Sequence, residues 1–237
     1  GCLAIWLFPD SGSSPLRRLR IGAGRRRRCL ALAYAAAAVG VAGPAIVAGG
    51  SWLWLLWPAA SLALVALIYL LLDGAAFGKR ADGSMPVAVR CLLAPYQIAA
   101  WLNQRWWTRR LASADVVVPG VLLGRLPTAA DRQRLPLAAV VDVCAELPCP
   151  TPGLAHASIP MLDLVPPDDG QIDRALAALQ KALATGPVLV CCALGLARSA
   201  LVVAAWLLRS GQATTAAEAV ALRSEERRVG KECRSRW

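Results

Sequence analysis

The chain has 237 residues, enough for one or two domains, and 57% of them are hydrophobic against 17% charged, which excludes an ordinary soluble domain and points to membrane segments. The net charge of +11 is uneven: residues 1–110 hold 13 Lys/Arg and 3 Asp/Glu, residues 111–222 hold 7 and 9, and residues 223–237 hold 6 and 3. A nucleic-acid partner is excluded for 111–222, which lacks a basic face, and eight scattered cysteines with no CxxC pair and one histidine exclude a zinc centre and read as reduced, cytoplasmic thiols.

The chain starts at Gly1 rather than Met, so the basic cytoplasmic segment 1–28 is expected to be truncated at its start. Cys29–Gly49 and Ser51–Leu72 are uncharged runs of 21 and 22 residues, each able to cross about 30 Å of hydrocarbon as a helix. With only Gly/Ser between them, 29–72 is expected to be a two-helix transmembrane hairpin. A signal peptide competes weakly for the first run, which is too long for an h-region and is followed at once by a second span. Pro44 and Pro58 are tolerable kinks within lipid, and Trp52, Trp54 and Trp57 suit an interface. Arginines before the hairpin (Arg17, Arg18, Arg20, Arg25–Arg28) and Lys79, Arg80 and Arg90 after it place both flanks on the cytoplasmic side.

The juxtamembrane segment 73–110 contains an apolar run over 85–110 in which Arg90, Gln97 and Gln104 recur every seven residues. One polar stripe on an apolar helix predicts a helix lying on the membrane surface. A third span is the alternative, but Pro95 breaks the run and Arg105, Arg109 and Arg110 would then fall outside.

From Leu111 the pattern turns to α/β. Two β-rich runs flank Pro119–Gly120, a short helix follows Thr128, strands are expected over 138–144, 157–162 and 187–191, and helices over 170–186, 196–211 and 214–222. Alternating strands and helices predict a central sheet flanked by helices, and 111–222 is long enough to bury a core. The tail 223–237 breaks abruptly into charge without apolar periodicity and is read as non-native, resembling a vector- or adaptor-derived frame; a solvated basic tail is the alternative.

The chemistry concentrates in "GPVLVCCALGLARSALVVAAWLL", residues 186–208. A strand-to-helix loop turns its amides and the helix dipole toward one point and binds an anion there. Gly195 lets the backbone curve. Arg198 can fork two N–H groups onto phosphate oxygens, and Cys192 faces a field that favours its thiolate. The spacing Cys-x5-Arg thus sets a nucleophile and a clamp around one phosphate. A buried cysteine pair with a capping arginine is the bland alternative, and a rhodanese-type sulfurtransferase loop is another.

Cys192, Gly195, Arg198 and Ser199 resemble the C-x2-G-x2-R-S/T loop of cysteine-based protein tyrosine phosphatases, and 111–222 resembles the dual-specificity branch, in particular its bacterial membrane-anchored members. "LGRLP" (123–127), "VVDVCAELP" (140–148) and "IPMLDLVPP" (159–167) fall in the family's order. The resemblance implies a phosphocysteine intermediate and no cofactor. It implies phosphate binding by Ala193, Leu194, Gly195, Leu196, Ala197 and Arg198, a hydroxyl role for Ser199 in breaking down the intermediate, and a general-acid aspartate. Asp163, 29 residues before Cys192, matches that aspartate best, with Asp168 and Asp169 as fallbacks. Asp142, Glu146, Cys144, Cys149 and His156 read as structural. Two departures stand out: Cys191 replaces the family's usual His, and Ala197 stands where Ser is common. The expected function is phosphate-monoester hydrolysis at a bacterial inner membrane, on a phosphoprotein or a phospholipid headgroup. A catalytically impaired, membrane-tethered phosphate-binding module is the alternative, and a reversible Cys191–Cys192 disulfide is a minor one.

Overall fold

The computed structural model describes residues 15–215. Helix α1 spans Pro15–Ala48, and a 3₁₀ turn (Gly50–Leu55) leads into α2 (Leu56–Leu71). The reversal turns on Gly49 (φ 61°) and Gly50 (φ 54°), both in the left-handed region that a side chain disfavours. Within this pair, Gly24–Ala48 and Gly50–Leu71 are long and apolar enough to cross a membrane. In their most apolar stretches 17% and 33% of the residues are buried. Val47 and Trp54 are 89% and 79% exposed near the tip.

A linker with a short 3₁₀ turn (Gly74–Phe77) leads to α3, Val87–Thr108. The sequence predicts a break at Pro95; instead the helix runs through it. Proline removes the N–H that would bond the carbonyl four residues back, and that carbonyl, Cys91 O, accepts from Trp57 Nε1 of α2 at 3.0 Å. The orphan group is satisfied from the hairpin, so no break is required. The polar stripe is also placed differently from expectation. Arg90 is exposed, but Gln97 and Gln104 are buried, and Gln97 Nε2 donates to Glu146 O at 3.2 Å. Gln97 thus faces the sheet domain, where Glu146 O meets its buried amide, rather than lipid headgroups.

The sheet has the order β1-β2-β5-β3-β4. Strands β1 (Ala114–Val118) and β2 (Val121–Arg125) form an antiparallel hairpin around Pro119–Gly120. Strands β2, β5 (Val188–Cys192), β3 (Ala139–Cys144) and β4 (Ala155–Met161) run parallel. Helix α4 (Ala129–Arg134) opens on a Thr128 capping box with Asp131, α5 spans Asp169–Leu183, and α6 spans Arg198–Arg209. The expected helix 214–222 lies outside the described residues beyond Thr215.

Strand β5 occupies the centre, and all five of its residues are buried. Its alternation divides two apolar layers. Val188, Val190 and Cys192 join Leu176, Leu179, Val203 and Leu207 beneath α5 and α6. Leu189 and Cys191 join Leu122, Val140, Cys144 and Cys149 on the opposite face, against which Ala100 of α3 packs. A third cluster ties the hairpin to the sheet domain: Val65, Ile68 and Tyr69 of α2, Phe77 and Met85 of the linker, and Leu93 of α3 meet Ala145 and Leu162.

The linker is fastened by charge as well. Lys79, read from sequence as a cytoplasmic flank charge, has a fully buried side chain that pairs with the fully buried Asp142 carboxylate. Its ammonium also donates to Cys144 O at 2.7 Å. Burial, the largest single effect, depresses the lysine, but the Asp142 charge, Cys144 and the hydrogen bond to Asp142 together outweigh it, so the net shift is upward and the ammonium stays charged. Position after a span put Lys79 among the flank charges; a buried carboxylate with which it pairs places it inside.

Candidate active site

Ligand sites of parallel sheets lie beyond the carboxyl ends of the strands, and three elements end together there. β5 delivers Cys192, the loop after β3 delivers Glu146, and the loop after β4 delivers Asp163.

Cys192 is the last residue of β5 and 2% exposed. Residues 193–197 then curl into α6, which begins at Arg198, two residues later than its periodicity predicts, because the curl consumes them. Gly195 has φ +70°, and a Cβ there would come within 2.5 Å of Gly124 C and 2.7 Å of Arg125 N. Only glycine lets the loop press this closely on the end of β2. The helix N-cap is Ala197, which has no side-chain oxygen to bond the first-turn amides. First-turn amides without a side-chain acceptor can be met by a bound anion. Ser199 Oγ donates to Cys192 Sγ at 3.3 Å.

Arg198 is 4% exposed, and its guanidinium is gripped from one side. Nη1 donates to Glu146 Oε2 at 2.7 Å and to Met161 O at 2.8 Å, and Nη2 donates to Glu146 Oε1 at 2.6 Å. Asp163 Oδ1 lies 3.2 Å from Nη2. The remaining donor, Nε, is buried without a partner. Burial pushes the Glu146 carboxyl up, but the charge and hydrogen bonds of Arg198 outweigh it and hold the carboxyl below its ordinary value. For Asp163 the balance is reversed. Burial raises it, Arg198 lowers it, Glu146 raises it again, and the net shift is upward. Its backbone is held by Tyr69 of α2, whose hydroxyl donates to Asp163 O at 3.1 Å. The next residue, Leu164, is the one described non-glycine with positive φ, at 58°.

The structure therefore brings Cys192, Arg198, Ser199 and Asp163 to one place. Asp168 and Asp169 are elsewhere in role: Asp168 caps α5 by accepting from Gln171 N at 2.7 Å, and Asp169 sits in that helix's first turn. From sequence alone Glu146 reads as structural. Its signal was position: an acidic residue two places past the carboxyl end of a parallel strand faces the site. Asp142 behaves as read, bonding Cys144 N at 2.9 Å and pairing with Lys79. Cys191 lies on the sheet face opposite Cys192, and burial first, then contact with Cys149, pushes its thiol well above the ordinary range. Neighbouring strand residues point to opposite faces, which opposes the minor alternative of a vicinal disulfide, and both thiols are free.

No family model and no curated protein sequence matches the chain. Among solved structures it is similar to human DUSP28, at 29% identity over 50% of this chain and 83% of that one, with a TM-score of 0.44. It is similar to a mouse putative dual specificity phosphatase, at 26% identity over 49% of this chain and 77% of that one, TM-score 0.44. Similarity to Tk-PTP is 22% identity over 49% of this chain and 86% of that one, TM-score 0.40.

A cavity of about 470 Å³ opens against this site. Ala193 and Leu194 of the loop, Glu146 and Asp163 form one end; residues of α1, α2 and α3 form the rest. None of these cavity-wall contributions from the helices was visible from sequence periodicity.

Proposed function

We propose that this chain is a membrane-anchored phosphatase that hydrolyses phosphate monoesters through a phosphocysteine. The reading rests above all on one observation. A strand-end cysteine accepts a hydrogen bond from Ser199, and the arginine six residues on is gripped by Glu146 while its Nε is left free. A phosphate held by the amides of 193–198 and by Arg198 presents phosphorus to Cys192 Sγ. The thiolate attacks, an S–P bond forms, the ester P–O bond breaks, and Asp163 gives its proton to the leaving oxygen. The raised carboxyl of Asp163 supports that acid role. In the second step the Asp163 carboxylate takes a proton from water, water oxygen attacks phosphorus, and the S–P bond breaks to release inorganic phosphate. Ser199 Oγ–H steadies the departing thiolate. Glu146 positions Arg198.

The proposed organisation is a basic segment 1–28, a hairpin 29–72, a juxtamembrane segment 73–110 and the catalytic domain 111–222. Span-length helices whose apolar faces are exposed support the anchor. The arginines of 17–28 and Arg80 and Arg90 after the hairpin favour a cytoplasmic catalytic domain. The alternative, a membrane-tethered phosphate-binding module, is favoured by one observation: Cys191 is a buried neutral thiol where the resembled family carries histidine.

The test is hydrolysis of p-nitrophenyl phosphate by the detergent-purified chain and its Cys192→Ser variant. The phosphatase reading expects turnover that the variant abolishes; equal rates, or none in either, overturn it in favour of the module. Retention in the membrane pellet after alkaline extraction is expected, and release by alkali alone contradicts the anchor.

A further inference from the structure

Resting on the phosphatase reading, we infer that the substrate is a phosphorylated lipid: a phosphate monoester on a small, otherwise uncharged headgroup, whose apolar part enters between the hairpin and α3. Three observations carry it. First, the cavity that opens against the loop is walled mainly by apolar groups of helices. Tyr34 comes from α1, Pro58 and Leu62 from α2, and Pro95, Tyr96 and Ala99 from α3. Its volume of about 470 Å³ lies within the usual range of small-molecule sites. Two of the three helices are those long and apolar enough to span a bilayer. Tyr34 lies six residues past Arg28 and Leu62 ten before Leu72, about 9 and 15 Å inside the apolar stretches at 1.5 Å per residue. A route from the phosphate loop thus runs directly onto bilayer-type surface.

Second, the cavity wall contains a polar group without a partner. Gln104 is 2% exposed, and its Nε2 has no hydrogen-bond acceptor. A buried amide left unmet is costly, and this one borders the cavity beside Asn103. It suits an oxygen of a glycerol-type headgroup lying between phosphate and chains.

Third, among the described residues no lysine or arginine lines the cavity, and the two charged residues that do, Glu146 and Asp163, are acidic. That wall offers no cation to a second phosphate or to the acidic flanks of a phosphopeptide. Arg198 is the site's cation, sufficient for one phosphate.

The test compares kcat/KM of the full chain in mixed micelles on dioleoyl phosphatidic acid, glycerol 3-phosphate, a phosphotyrosine peptide and p-nitrophenyl phosphate. The inference expects phosphatidic acid to exceed glycerol 3-phosphate and the peptide by at least about 100-fold. That is about 2.7 kcal/mol at 1.36 kcal/mol per tenfold, within what burial of about four methylenes supplies. Leu62→Trp, which fills the cavity, and Gln104→Leu are each expected to lower the ratio of phosphatidic acid to p-nitrophenyl phosphate turnover at least about tenfold. Leu70→Trp, on the exposed side of α2, leaves that ratio at the wild-type value. Turnover of p-nitrophenyl phosphate with phosphatidic acid no better than glycerol 3-phosphate, or with the peptide preferred, overturns the lipid assignment and leaves the phosphatase standing. An unchanged ratio in both cavity variants overturns it too. Absence of Cys192-dependent turnover on every substrate overturns the phosphatase reading itself.

Discussion

Replacing Lys79 with methionine removes the cation that binds the linker after the hairpin to the sheet domain. In the native protein both side chains of the Lys79–Asp142 pair are fully buried. The Asp142 carboxylate keeps one strong bond, from Cys144 N at 2.9 Å, and the other oxygen lies 3.8 Å from His156 Nε2. That imidazole gives no substitute charge: burial lowers its pKa more than Asp142 raises it. Lys79→Met therefore leaves a buried carboxylate with half its partners, and breaking a buried pair in this way costs about 3–5 kcal/mol. For a chain of this size each kcal/mol moves the midpoint by about 2–4 °C, so a fall of about 6–20 °C is expected. The assay is thermal unfolding followed by circular dichroism in detergent at neutral pH. Adding Asp142→Asn removes the stranded charge while leaving an acceptor for Cys144 N, and is expected to restore most of the loss. A fall below about 2 °C in Lys79→Met, or no recovery in the double variant, refutes the reasoning. The pair sits behind the candidate nucleophile, since Asp142 is the register partner of Cys191.

Two further outcomes concern the site. Burial lifts Asp163 above its ordinary value despite Arg198, and the Glu146 charge adds to the lift, so kcat should fall with rising pH along a limb above the unperturbed value of about 3.9. Asp163→Asn is expected to abolish that limb and lower kcat by about 10²–10⁴-fold, read from pH–rate profiles; a persisting limb assigns the acid elsewhere. Glu146→Gln removes the charge that grips Arg198. Charge-assisted hydrogen bonds contribute about 1.5–3 kcal/mol, so kcat/KM is expected to drop by about 10- to 100-fold, with weaker inhibition by vanadate; wild-type kinetics would reduce Glu146 to packing.

What the sequence discloses depends on how local the cause is. The strand–loop–helix at β5 and α6 is legible because a continuous apolar run, a glycine and Arg-Ser are all contiguous. The N-cap at Thr128 and the helix face of α5 are legible for the same reason. Pro95 is misread because the group that rescues it, the Trp57 indole, lies 34 residues away in sequence. The Gln97–Gln104 stripe has the right periodicity but the wrong exposure, since periodicity identifies a polar face without naming what that face meets. Lys79 and Glu146 are assigned by partners at long range, Asp142 and Arg198. The cavity is the extreme case. Its walls come from α1, α2 and α3 and its end from three loops of the sheet domain, so no single stretch contains its signal.

The central claim is that Cys192 carries the phosphoryl group. Acid quench of the Asp163→Asn variant during turnover, followed by mass spectrometry of the peptide containing Cys191 and Cys192, tests it directly. The account predicts a phosphoryl group on Cys192, absent from Cys192→Ser. A labelled phosphate found on another residue, or none on Cys192 while substrate is being consumed, would contradict it.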